Sequence, residues 1–190
     1  MSPSRVTADL DRLAALAEAC KALAPQLGRV ADRYAGALRA GGTLYFCGNG
    51  GSAADAQHIA AEYVVRYGAA RRPLAAVALT TDSSILTAAG NDLGFEQIFA
   101  RQVEALCRPA DLLILHSTSG RSPNLLAAAS AARSRGVATV AFLGRGGALA
   151  TEVDEAVLVP SGHTGHVQVL HLALQHLLVE LVEASLFESS

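Results

Sequence analysis

The chain has 190 residues, is 51% hydrophobic and carries a net charge of −2, which suits one α/β domain with a full core. Lys and Arg (15) do not outnumber Asp and Glu (17), so no basic footprint points to nucleic acid. Aromatic residues are scarce (5%) and tryptophan is absent, so close helix packing is expected rather than an aromatic binding surface.

Residues 6–40 read as helical, with Leu10, Leu13, Leu16 and Ala17 at helical spacing and a break predicted near Pro25. This N-terminus is mixed in charge and has no signal-peptide pattern. Cys20, Cys47 and Cys107 are odd in number and widely spaced. They read as reduced core thiols of a cytoplasmic protein, not as a disulfide framework or zinc knuckle. After Gly41-Gly42 the pattern changes. Apolar runs at 43–47, 74–79, 112–116, 137–143 and 156–159 alternate with helical stretches near 52–67, 83–90, 94–107, 122–135 and 146–152. Continuous apolar strands separated by helices predict a doubly wound, five-stranded parallel sheet in a Rossmann-like three-layer sandwich. The last helix, about 165–187, is apolar on more than one face. With the N-terminal helix it is expected to build a subunit interface. No apolar run is expected to reach membrane-spanning length, because His171, Gln175, His176 and Glu180 interrupt this segment. With no repeat or linker, residues 1–190 are expected to form one domain: a helical extension over 1–40 and a core over 41–187.

Ligands of such sheets bind at the carboxyl ends of the strands. The first strand runs into Gly48-Asn49-Gly50-Gly51-Ser52, a tight glycine turn from which a helix opens directly. Free backbone N–H groups and the positive helix end make that junction a natural phosphate seat. Deeper in the helix, His58 and Glu62 share a face at i,i+4, setting an imidazole and a carboxylate beside the same pocket. Ser117-Thr118-Ser119-Gly120-Arg121-Ser122 sets four hydroxyls in six residues before a helix whose first position is Pro123, with Ser122 as N-cap. Any one of these residues alone is ordinary turn chemistry; together they read as a phosphate grip without lysine or magnesium. Neither loop carries the Gly-Lys-Ser/Thr of a P-loop.

Four of the six histidines, His163, His166, His171 and His176, fall within fourteen residues, together with Gln168 and Gln175. A lone histidine on an apolar helix is usually a satisfied core residue. The cluster, with His58 and Glu62, makes a zinc centre of N and O ligands plausible. Gln168 and His176 are eight residues apart, about 12 Å along a regular helix, too far to converge readily on one ion. That leaves three possibilities: the helix begins after Gln168, the ligands come from different subunits, or one of the two touches only the sugar.

The run from Cys47 through His58 to Glu62, Gly90-Asn91-Asp92 with Phe95, the hydroxyl loop 117–122, and Thr164, Gln168 and His176 together resemble the phosphoheptose isomerases of the sugar-isomerase (SIS) domain superfamily. The resemblance spans residues 41–182, with an N-terminal helix as the family also has. It implies an aldose–ketose isomerase converting sedoheptulose 7-phosphate to D-glycero-D-manno-heptose 7-phosphate through an enediol, in heptose biosynthesis. It also implies one zinc per subunit on His58, Glu62, Gln168 and His176. The implied substrate contacts are Asn49, Gly50, Gly51, Ser52, Glu62, Asn91, Asp92, Ser117, Thr118, Ser119, Ser122 and Gln168. Glu62 is expected as the base and His176 as its partner in proton transfer, in a homotetramer with active sites between subunits. The chain departs from the family pattern at Val169, where an acidic residue is usual, and at His166, where a basic one is common.

Two other readings belong to different classes. Gly48-x-Gly50-x-x-Ala53 fits a dinucleotide fingerprint, but Asp82, the candidate ribose acid, follows Gly48 by 34 residues where about 20 is the norm. A SIS domain can also serve as a non-catalytic sugar phosphate sensor or partner-binding protein, or as the isomerase of another sugar phosphate. The intact His58/Glu62 and Gln168/His176 pairs favour the enzyme.

Overall fold

A computed structural model describes residues 3–68 and 70–187; the outermost ends of the expected 1–190 domain lie outside the described residues. The N-terminal helices are α1 (Pro3–Cys20) and α2 (Ala24–Arg39). The break between them is a 3-10 turn at Lys21–Leu23, just ahead of Pro25, which sits in the first turn of α2, where its missing N–H is harmless. Five strands follow: β1 (Leu44–Gly48), β2 (Ala76–Ala78), β3 (Leu112–Ser117), β4 (Ala138–Leu143) and β5 (Glu155–Leu158). Between and after them lie α3 (Gly51–Val64), α4 (Ser83–Asp92), α5 (Ala100–Leu106), α6 (Pro123–Ser134) and α7 (Thr164–Phe187).

All strand pairs are parallel, in the order β2-β1-β3-β4-β5. Alternate side chains feed two cores. Phe46, Ile114 and Phe142 face α2, α3 and α7. Cys47, Leu115 and Ala141 face α5 and α6. The strand order reverses between β1 and β3, where Gly48 pairs with His116. The crevice beyond their carboxyl ends is therefore bordered by the glycine turn and the hydroxyl loop, as a switch point requires.

Three expected elements are shorter than the apolar pattern suggests. The second strand is confined to three residues at the sheet edge. The stretch 94–107 divides into a 3-10 turn (Phe95–Gln97) and α5, and 146–152 contains only the 3-10 turn Ala148–Thr151 after two positive-φ glycines, Gly146 and Gly147. The expectation that no apolar segment reaches spanning length is corrected by α7, whose 24 residues are long and apolar enough to cross a membrane. The buried His171 and Gln175, and the packing of α7 on α2 and α3, mark it instead as a core helix. The three cysteines are free and buried. Burial, aided by Asp111, pushes the Cys107 thiol up to about 12, so it stays protonated.

Candidate active site

Helix α3 places Gly51, Asp55, His58 and Glu62 at i, i+4, i+7 and i+11, a single strip that faces α7. His58 Nε2 lies 3.1 Å from Glu62 Oε1 and 3.2 Å from His176 Nε2. The ligand atoms of His58, Glu62 and His176 all fall within 4.8 Å of one another. Tyr67 stacks on the His176 ring at 5.1 Å. The His58 side chain is 46% exposed and Glu62 23%, so the group opens to solvent. Two imidazoles and a carboxylate are a donor set that suits zinc and leaves a coordination position free.

A second group of possible ligands, Asp9, His163 and His166, is equally close. Its chemistry suits a cation less. His163 Nδ1 already accepts the His166 N–H at 3.2 Å, and Arg12 binds Asp9 at 2.8 Å. Arg12, and after it His166, hold the Asp9 carboxyl below its usual range. The positive end of α7 adds a further repulsion.

The fourth expected ligand behaves differently. Gln168 lies well inside α7, so the helix does not begin after it. Its amide covers Gly51: a Cβ there would sit 2.6 Å from Gln168 Nε2. Gly51 precedes His58 by seven residues, about 10 Å along α3. Within one chain, then, His176 joins His58 and Glu62, while Gln168 stands two turns away at the glycine loop.

Sequence reasoning missed the clamp that fixes Glu62. The Arg71 side chain is 3% exposed. It donates to the Glu62 carbonyl at 2.7 Å, to the Tyr63 carbonyl at 2.9 Å and to Glu183 Oε1 on α7 at 2.5 Å. One guanidinium thus caps the last carbonyls of α3 and ties them to the helix bearing His176. Asp55, also missed, lies on the same strip with a buried Oδ2 that has no partner among the described residues. Burial raises its carboxyl and His58 opposes the shift.

At the anion end, Gly50 adopts φ 58° and ψ −121°, a conformation that turns β1 directly into α3. The Ser52 N–H returns to the Asn49 carbonyl, and those of Ala53 and Ala54 to the Gly50 carbonyl. The seat is therefore largely self-satisfied. The Asn49 and Asn124 amides bond each other twice, at 2.9 and 2.8 Å, and lock the glycine turn to the start of α6. In the hydroxyl loop Ser117 Oγ accepts the Gly120 N–H and Ser119 Oγ the Arg121 N–H. Ser122 is the N-cap residue of α6, yet its hydroxyl makes no cap bond. Thr118 is half-buried. Asn91 and Asp92 end α4, exposed, bonded to each other and to no other candidate residue among those described. Asp82 caps α4 through the Ile85 N–H at 2.9 Å, which is an ordinary structural role for the acid that a dinucleotide reading would need.

The remaining histidines are structural. His116 and His171 are fully buried beside Phe142. Gln175 Nε2 lies 2.8 Å from His116 Nε2 and 3.2 Å from the Tyr34 hydroxyl, and His171 Nε2 lies 3.1 Å from the Leu143 carbonyl. Burial lowers His116 to about 3, with His171 contributing, and His171 to about 4. Both are neutral in the folded protein at physiological pH.

The SIS domain family model matches residues 10–144. The chain is 57% identical over 153 residues to a phosphoheptose isomerase of Solidesulfovibrio magneticus, covering 80% of this chain and 75% of that protein. It is 49% identical over 181 residues to the phosphoheptose isomerase of Akkermansia muciniphila, covering 93% of this chain and 96% of that protein. The structure of the phosphoheptose isomerase from Neisseria gonorrhoeae superposes with a TM-score of 0.91 at 39% identity, over 95% of this chain and 98% of that one. The chain belongs to the SIS-domain family and, within it, to the phosphoheptose isomerases.

Proposed function

We propose, from this family membership, that the chain isomerises sedoheptulose 7-phosphate to D-glycero-D-manno-heptose 7-phosphate in heptose biosynthesis. The observation that carries the reading is the convergence of His58, Glu62 and His176 from α3 and α7, on the helical strip that begins at the glycine turn. A sugar phosphate sensor has no need of such a group.

Glu62 takes the proton α to the ketone, giving the enediol, and His176 returns a proton to the neighbouring carbon. The 3.1 Å contact to His58 orients the Glu62 carboxylate, and the Arg71 clamp fixes its backbone. Asn49, Gly50, Gly51, Ser52, Ser117, Thr118, Ser119 and Ser122 receive the phosphate and sugar hydroxyls at the other end, where Gln168, lying over Gly51, touches the sugar. Asn91 and Asp92 join from a neighbouring subunit. His58, Glu62 and His176 would hold zinc, one per subunit, with Gln168 of a neighbouring chain as a fourth ligand. Zinc bound there would polarise the carbonyl.

The reading extends to a cytoplasmic homotetramer, each chain acting as one SIS domain with active sites between subunits. Two features support the assembly. Of the 18 residues of α1 only Cys20 is buried, and α7 exposes Val169, Leu177 and Leu181 along one stripe. Both surfaces call for cover.

The test is proton exchange followed by NMR on sedoheptulose 7-phosphate in deuterated water, with and without a chelator. Conversion that stops with chelator establishes the isomerase and its metal dependence. Conversion that survives keeps the isomerase and removes zinc from it. A bound but unconverted sugar phosphate overturns the enzymatic reading.

A further inference from the structure

A cleft at the carboxyl ends of β3, β4 and β5 is lined by Thr118, Ser119, Arg121, Arg145, Ser161 and Thr164 together with glycine backbone. No carboxylate lines it. Neither Arg121 nor Arg145 has an ion-pair partner among the described residues. The hydroxyls are polarised in one sense. Ser119 Oγ accepts the Arg121 N–H and Ser161 Oγ accepts the His163 N–H. One lone pair of each oxygen is thus engaged and its proton remains to be donated, as an anion requires.

The loop after β4 is held on the hydroxyl loop with little freedom. Gly120 has φ 62°, and a Cβ on it would fall 2.1 Å from the Gly146 carbonyl oxygen. One on Gly147 would fall 2.5 Å from that of Ser119, and the Leu149 N–H donates to the Gly120 carbonyl at 2.9 Å. Arg145 is carried at the tip of this docked loop, its guanidinium lying over Gly162. The glycine turn, by contrast, returns the N–H groups of Ser52, Ala53 and Ala54 to its own carbonyls.

We infer that Arg121 and Arg145 form a cationic rim that reads the phosphate dianion of the substrate on the β4–β5 side of the hydroxyl loop. This rests on the sugar phosphate reading above. The two guanidiniums supply the charge that the hydroxyl loop lacks and set the preference for a phosphorylated over a neutral sugar.

The experiment compares wild type with Arg121→Gln, Arg145→Gln and the double variant. It reads KM for sedoheptulose 7-phosphate and the inhibition constant of inorganic phosphate. Each single change raises both constants roughly tenfold and the double change roughly a hundredfold, while kcat moves less than about threefold, as loss of charge-assisted bonds distant from the reacting carbons should. Arg145→Lys recovers part of the loss. Unchanged constants in a double variant that melts like wild type overturn the inference. Should wild type not turn over the heptose, titration of both proteins with inorganic phosphate, followed by thermal shift, still decides. Loss of phosphate stabilisation in the double variant keeps the rim and discards the heptose reading; equal stabilisation discards the rim.

Discussion

Helix α7 presents histidine to two different media. On its inner side His171, with His116 across from it, is sealed from water and held neutral. Five residues on, His176 meets His58 and Glu62 where solvent enters. The residue type is the same, but only the second region is open to solvent. Desolvation decides which histidine is architecture and which is chemistry.

The sharpest way to test that division is at Glu62. Glu62→Gln keeps shape and packing but removes the base, so turnover should fall at least about a thousandfold, the upper part of the range for general base catalysis. Thermal stabilisation by the sugar phosphate should persist. Retained exchange in the NMR assay would move the base elsewhere. Next in size is the clamp. Arg71→Met leaves the half-buried Glu183 with only the Tyr67 N–H at 3.4 Å and frees the end of α3, so unfolding free energy in urea should drop by about 3 kcal/mol, the lower end for a broken buried pair. A drop below about 1 kcal/mol would mean that Arg71 does not fasten α3 to α7.

The sealed region predicts a pH signature. In the unfolded chain both histidines titrate near 6.5, whereas in the fold His171 stays neutral to about 4 and His116 to about 3. Well above pH 6.5 neither state binds the extra protons, and the full stability is present. As pH falls toward 4 the unfolded state alone takes them up, so stability declines by up to about 2.7 kcal/mol per pH unit for the two sites. Urea midpoints between pH 7.5 and 5 measure the slope, and His171→Gln should roughly halve the histidine part of it. A slope untouched by that change would show that His171 is charged in the fold.

The strands were legible because burial on both faces leaves continuous apolar runs, as in the fully buried β3. The His58/Glu62 pair was legible because its spacing is local. What escaped notice depends on contacts between distant segments: Arg71 with Glu183, 112 residues on, and Asn49 with Asn124, 75 residues on. No periodicity encodes such pairs. Nor does the local sequence distinguish His171 from His176 on the same apolar helix; only packing against Leu143 or α3 separates them. The apparent helix at 94–107 fails for a similar reason. Gly94 adopts φ 92°, Phe95–Gln97 forms only a 3-10 turn, and the segment turns into the core at Ile98 and Phe99 before α5 begins.

The smallest expected effect probes Gln168, which belongs to neither medium. Gly51→Ala places its methyl 2.6 Å from Gln168 Nε2, but the obstacle is the far end of a flexible side chain, and Gly51 has ordinary helical φ. The amide can swing aside, and alanine gains about 1 kcal/mol of helix propensity over glycine at an interior position, less at a first turn. The fold should therefore melt within about 2 °C of wild type. Gly51 is itself a proposed sugar contact, so Gln168→Ala, which leaves Gly51 in place, is measured beside it and must move the same constants. If Gln168 touches the sugar, KM rises a few-fold, worth about 1 kcal/mol of one neutral hydrogen bond, with kcat held. If Gln168 also completes the zinc group of a neighbouring chain, kcat and chelator sensitivity change as well. Unchanged kinetics in both respects would leave Gln168 as packing over Gly51 and confine the chemistry to His58, Glu62 and His176.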